Sequence, residues 1–352
     1  MDLLRKYKGC YGLPQAGMLA NDLLRTRLNN TGYYKTTTTP GLWRRKWRPI
    51  MFLLIVDDFG IKYVGDNHLH QLRTVLTNHY TIMEDLDRKI FSGIDLEWNY
   101  IKSTPNVHVA YTRRDTFANM LLKYVHKAPT KPHISPHRHR KINYGSKEQL
   151  VAEEDTSPKL NNEGIKRVQG IVSAFLYYAH AVHNRLLVGL SAIGAQQVSA
   201  TEQTAAAINQ ILYHVEAYPN NEITYRASDM ILAAHSDAGF NNESNPCSRV
   251  GTHIFLSEKD PTPEWNGSIL MIAQIIKFII SSAAEAELGT LYIMAKEMVP
   301  TCQTLIEMGW KQPPSLIQTD NSKAAGVVNK TIVQCKRKSL DLCFHWLRCR
   351  ES

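Results

Sequence analysis

Two adjacent aspartates, Asp57 and Asp58, stand in MFLLIVDDFGIKY between an apolar run, 51–56, and an apolar return at Phe59-Gly60-Ile61. The pattern predicts two strands of a β-hairpin with the carboxylates at its tip. Carboxylates that close repel unless a cation neutralises them, and a divalent cation with oxygen ligands is the usual solution. The plainer alternative is a turn that recruits Asp for local backbone hydrogen bonding. Four further acids, Asp237, Glu287, Asp320 and Asp341, each fall where an element is expected to end or a helix to begin, so they could converge on one edge of a sheet. An oxygen-only ligand set selects Mg²⁺ or Mn²⁺ over Zn²⁺. Two such ions can activate a water and stabilise the leaving oxygen of a phosphodiester. Glu285 is expected on a different side of its helix from Glu287, which is expected to be the more deeply set. For any one of these acids, a helix N-terminus whose dipole favours negative charge is the competing explanation.

The elements that must position these groups follow from periodicity and turn residues. Met18 to Leu28 shows a helix-like pattern closed by Gly32, residues 66–80 look helical, and IFSGIDLEWNY (90–100) reads as strand, turn, strand. A helical block is expected over about 163–216, with Val168, Ile171, Val172, Phe175 and Leu176 at helical spacing. YRASDMILAAHSDAGF (225–240) reads as one strand carrying Asp237, followed by strands at THIFL (252–256) and SILMIA (268–273). FIISSAAEAELGTLYIMAKEM (278–298) is expected to pass from strand into helix. SLIQTDNSKAAGVV (315–328) places Asp320 at a strand end, with Asn321 and Ser322 able to cap the helix behind it. The fold class is therefore α+β or α/β, in several domains.

Composition narrows the partners. The 352 residues are 43% hydrophobic and 21% charged, ordinary values for a globular protein. The formal charge is +9, and residues 1–56 hold ten Lys or Arg against only Asp2 and Asp22. A cationic face of that density suits a polyanion, with nucleic acid favoured over an anionic membrane because no amphipathic anchor or lipidation signal accompanies it. WRRKWRP (43–49) interleaves Trp43 and Trp47 with Arg44, Arg45, Lys46 and Arg48, a composition suited to base stacking and phosphate contact; snorkelling cations over a partly buried Trp surface are the alternative. HKAPTKPHISPHRHRK (126–141) combines Pro, His and cations, as a linker or basic arm does. Six scattered cysteines without a CxxC pair read as reduced thiols, and MDLLRKYKGC lacks the apolar core of a signal peptide, so an intracellular location is expected. ILMIAQIIKFII (269–280) is too short to span a bilayer, so no membrane partner is expected.

YGLPQAG followed some forty residues on by IVDD resembles the reverse transcriptase of copia-type LTR retrotransposons, whose usual forms are close to YGLKQAP and YVDD. SDAGF, SRVGTHIFL, SSAAEAELGTLY, QTDNSKAAG and KRKSLDLCFHWLR resemble, in the same order, the ribonuclease H segments of those elements. The likeness runs essentially end to end, GIVSAFLYYA in the helical connection included. It implies a partial reverse transcriptase palm over 1–125, a basic linker and helical thumb or connection over 126–224, and a ribonuclease H-like mixed α/β domain over 225–352. It also implies RNA template, DNA primer and RNA–DNA hybrid as partners, with a cytoplasmic (virus-like particle) or nuclear location. Asp57 then corresponds to a metal-binding aspartate of the palm, with Asp58 beside it, and Gln15 lies near the incoming nucleotide and template. Asp237, Glu287, Asp320 and Asp341 correspond to the acids of the nuclease, while Arg44, Arg45 and Arg48 are expected to hold phosphates. Ile55 stands where the family usually has Tyr. The family's first catalytic aspartate precedes YGLPQAG, so this chain is expected to be truncated and not to extend a primer by itself. Two other readings remain open: a non-enzymatic nucleic-acid-binding relic, and a stand-alone metal-dependent ribonuclease H.

Overall fold

The computed structural model describes residues 14–87, 89–99, 107–112, 114–124, 133–138, 155–242, 247–332 and 346–347. By contact the chain divides into two compact units, one of residues 1–92 with 306–309, the other of 93–305 with 310–352.

The first unit opens with α1 (Pro14–Asn30), which starts on a proline, the residue best tolerated in a first helical turn. Gly32, at φ 87°, turns the chain out of the helix as expected. Strands β1 (Tyr33–Lys35), β2 (Leu42–Arg45), β3 (Ile50–Ile55) and β4 (Asp58–Tyr63) then form an antiparallel sheet in chain order, and α2 (Asp66–Thr77) follows. Ile50 and Phe52 of β3 join Leu28, Tyr33, Trp43, Leu72 and Leu76 in one apolar core. The expected aspartate hairpin is present, with Ile55 paired to Asp58 across the two-residue loop Val56-Asp57.

In the second unit, β6 (Ile94–Asn99), β7 (Val107–Thr112) and β8 (Glu222–Arg226) pair antiparallel. The turn Ser92-Gly93, both residues at positive φ, separates β6 from the short β5 (Ile90–Phe91), giving the expected strand, turn, strand. The expected helical block consists of α4 (Asn162–Ala181), α5 (Leu187–Gln196) and α6 (Glu202–Ala217), and α3 (Arg114–Tyr124), a helix not expected from the sequence, packs Met120, Leu121 and Tyr124 against it. Asn161 caps α4 by accepting from the Gly164 N–H, and Thr201 and Thr204 form a reciprocal capping box on α6. Val168, Ile171, Val172 and Phe175 face Leu186, Leu190, Ile208 and Ile211 across the core.

A mixed sheet follows: β9 (Ile231–Gly239), β10 (Arg249–Ser257), β11 (Ser268–Ile275) and β12 (Leu316–Thr319), in the order β11-β10-β9-β12, with β12 parallel to β9 and the rest antiparallel. Helix α7 (Ala283–Glu307) packs Leu288, Leu291 and Met294 on Leu232, Ala234 and Ile254, and α8 (Ser322–Val328) adds Ala324 and Val327. Two expectations need correction. Residues 225–240 are two strands in two sheets, because Met230 at φ 60° reverses the chain after Arg226 and the Ser228 Oγ accepts its N–H. Residues 278–282 are not strand. The ladder stops at Ile275, Ile276 donates to the Ser248 carbonyl, and the Phe278 ring packs against Gly289 of α7. Among the described residues no helix is long and apolar enough to cross a membrane.

The helical block buries two histidines. His183 is 2% exposed, and His214, 1% exposed, donates from Nδ1 to the His133 carbonyl at 2.9 Å; among the described residues neither ring nitrogen of His183 is hydrogen-bonded and His214 Nε2 has no partner. Their ring centroids are 5.7 Å apart. Burial, then the neighbouring His214 and Arg185, push the His183 imidazole down to about 3. The unfolded chain therefore binds a proton below its ordinary value of 6.5 that the folded chain refuses. Stability contributed by this site is present above that value and lost as pH falls toward 3, at up to about 1.4 kcal/mol per pH unit. His183→Leu should flatten the fall of the melting temperature below neutrality, measured by circular dichroism; an unchanged acid slope would show that another group governs it.

Candidate metal centre

Three of the four tail acids come together. Asp237 lies near the end of β9, and the parallel register that sets Thr319 beside Ser236 carries Asp320 level with it. Glu287 enters from the first turns of α7. One carboxylate oxygen from each of the three lies within 4.8 Å of the others, with Glu287 buried and Asp237 and Asp320 exposed. Asn321 caps α8 by accepting from the Ala324 N–H, which fixes the chain directly after Asp320.

Hydrogen bonding decides which glutamate is available. Glu285 is 3% exposed and Glu287 6%, so depth does not single out Glu287 as expected. Glu285 instead accepts from both the backbone N–H and the hydroxyl of Ser281 at 2.7 Å, and the Ser282 Oγ accepts from its own N–H at 3.3 Å. This locks Glu285 into the start of α7, as a serine–glutamate cap does. Two residues on, about 200° around the helix, Glu287 points elsewhere.

Burial, then the charges of Asp237 and Asp320, raise the Glu287 carboxyl to about 7. The Ala238 N–H and the Thr319 hydroxyl, the latter at 3.5 Å, hydrogen-bond to it and offset part of that rise. Among the described residues no salt bridge reaches the three acids. A site of three convergent carboxylates, one raised to about 7 by burial and by its two acidic neighbours, fits Mg²⁺ or Mn²⁺: the donors are all hard oxygens, and two of them open to solvent. Thr319 and the Ala238 N–H were not singled out from sequence; their only signal is that each adjoins a site acid in the chain.

The other expected site residues lie elsewhere. Asp341 is outside the described residues. Asp57 and Asp58 are exposed at their hairpin tip in the first unit, and among the described residues no third metal-ligating side chain joins them. Val56, the first residue of that loop, sits at φ 55°, a conformation a β-branched side chain rarely adopts. Such strain costs on the order of 1–3 kcal/mol. Gln15 is exposed at the start of α1. Arg44 and Arg45 are half-buried in β2, the Arg45 guanidinium 5.4 Å over the Tyr33 ring, while Arg48 is exposed in the turn beyond. The chain matches no known protein-family profile.

The raised Glu287 carboxyl has a measurable consequence. Without a cation the folded chain holds a proton between pH 4.5 and about 7 that the unfolded chain has released, so this group's contribution to stability is lost as pH rises through that window. A bound cation favours the ionised form and must displace that proton. Saturating Mg²⁺ should therefore raise the melting temperature more at about pH 8 than at about pH 5.5, and Asp237→Asn should remove most of the difference. A Mg²⁺ effect equal at both pH values would argue against cation binding at these oxygens.

Proposed function

We propose that the second unit is a metal-dependent ribonuclease H that cleaves the RNA strand of an RNA–DNA hybrid, within a copia-type reverse transcriptase–ribonuclease H polypeptide. The observation that carries this reading is the convergence of Asp237, Glu287 and Asp320 from β9, α7 and the end of β12. Those are three of the four acids that the sequence resemblance singles out. Divalent cations held by these oxygens would activate a water and stabilise the leaving oxygen of the scissile phosphodiester. The chain's own part is to hold the ligand oxygens at a solvent-open sheet edge. Glu287 is raised to about 7, so near neutral pH it readily gives up the proton that coordination requires it to lose.

The Asp57-Asp58 hairpin supports the same parentage. Its tip carries Asp57 in the two-residue loop and Asp58 at the first position of β4, adjacent carboxylates at a hairpin tip as in the palm reading of IVDD, with RNA template and DNA primer as the partners that reading implies. A second reading, nucleic-acid binding without chemistry, is supported by the exposed cations at the turn between β2 and β3.

Asp237→Asn removes one charge from the cluster with little change in shape. It should abolish Mg²⁺-dependent cleavage of a labelled hybrid while leaving hybrid binding nearly intact, and Asp57→Asn should cleave like the parent chain. Equal cleavage by all three proteins would overturn the site assignment. Salt-sensitive binding by all three with no cleavage by any would establish the binding-only reading.

A further inference from the structure

The two tryptophans of WRRKWRP are put to opposite uses. Trp43 is fully buried and stacks on Phe52 with ring centroids 5.9 Å apart, whereas Trp47 is 97% exposed at the turn between β2 and β3. Trp47 also has φ 59°, an outlier for a bulky side chain. The turn is pinned on both sides of it: the Arg48 N–H donates to the Arg45 carbonyl at 3.4 Å, Ile50 to Arg48 at 2.8 Å, and Val64 of the adjacent β4 end to Pro49 at 3.0 Å. The indole is thus displayed from a fixed base. Lys46 and Arg48 flank it, both exposed, and no Asp or Glu occurs from Leu23 to Val56.

We propose that this turn is a contact site for single-stranded nucleic acid, with a base stacked on Trp47 and neighbouring phosphates held by Lys46 and Arg48. Charge complementarity selects a polyanion, and an open indole face between two cations matches the alternation of base and phosphate along one strand. A duplex keeps its bases stacked on one another and offers that face nothing equivalent. The proposal deepens the binding-only reading above, from which it takes the exposed cations of this turn and the premise that the partner is nucleic acid; none of its residues belongs to the acidic cluster.

The test is fluorescence anisotropy of a labelled oligouridylate, an oligothymidylate and a duplex of equal length with the full chain. Trp47→Ala should weaken single-strand binding by roughly 5- to 160-fold, and Trp47→Phe should retain most of it. Lys46→Ala with Arg48→Ala should make the logarithmic salt slope shallower by about 1.4, at ~0.7 per phosphate contact. Duplex binding should be insensitive to Trp47→Ala. Asp237→Asn should bind the oligonucleotides like the parent, so a failure of the cleavage reading and a failure of this one remain separable. Parental single-strand affinity in Trp47→Ala would overturn the proposal. So would a loss confined to phosphatidylserine vesicles, which would make the turn a membrane contact.

Discussion

Mutual repulsion of Asp237, Glu287 and Asp320 is the constraint around which the second unit is arranged. Three carboxylates within 4.8 Å of one another, one of them buried, oppose folding, and their charge is relieved only by protonation or by a cation. Strand pairing and apolar packing keep them together regardless. The parallel pairing of β12 with β9 sets two of them side by side, and the apolar contacts of Leu288, Leu291 and Met294 with the sheet hold the start of α7 over the same edge. Separating the acids would break that core. The Glu287 carboxyl is raised first by the burial that this packing imposes and then by its two acidic neighbours.

The same competition appears in two other places with other currencies. At the hairpin tip of the first unit, ladder pairing from Ile50–Tyr63 to Ile55–Asp58 holds Val56 in a conformation its side chain opposes. In the helical block, closure of the core around Phe175, Leu186 and Ile211 takes in His183 with both ring nitrogens unpartnered among the described residues. In each case a cooperative set of contacts outweighs one local penalty of a few kcal/mol. Such penalties concentrate where side chains are presented for a purpose, which fits the strained tips that carry Asp57 and Trp47.

The two units present complementary chemistry. The second gathers negative charge at a sheet edge, where a cation can be held. The first displays positive charge and an aromatic face on a hairpin turn. In the function proposed above these tasks would differ: cations and aromatics would set affinity, and a carboxylate-bound metal would do the cutting.

Much of this was written in local sequence. An apolar run and its return located the aspartate hairpin, and helical patterns located α1, α2 and the helical block, because such patterns are a property of a few neighbouring residues. Asp237, Glu287 and Asp320 were legible too, since each lies near the end of a strand or in the first turns of a helix, and Asn321 announced its cap. Other features depended on partners distant in the chain. The break after Arg226 rests on β8 pairing with β7 and β9 with β10, and the loss of strand at 278–282 on Phe278 meeting Gly289. That Glu285 is held by Ser281 while Glu287 faces two aspartates, and that Trp43 is buried while Trp47 stands in water, could not be read from composition that treats each pair alike. Sequence determined which groups could do chemistry; only the tertiary structure decided which of them meet, because register and packing, unlike periodicity, are set by residues far apart in the chain.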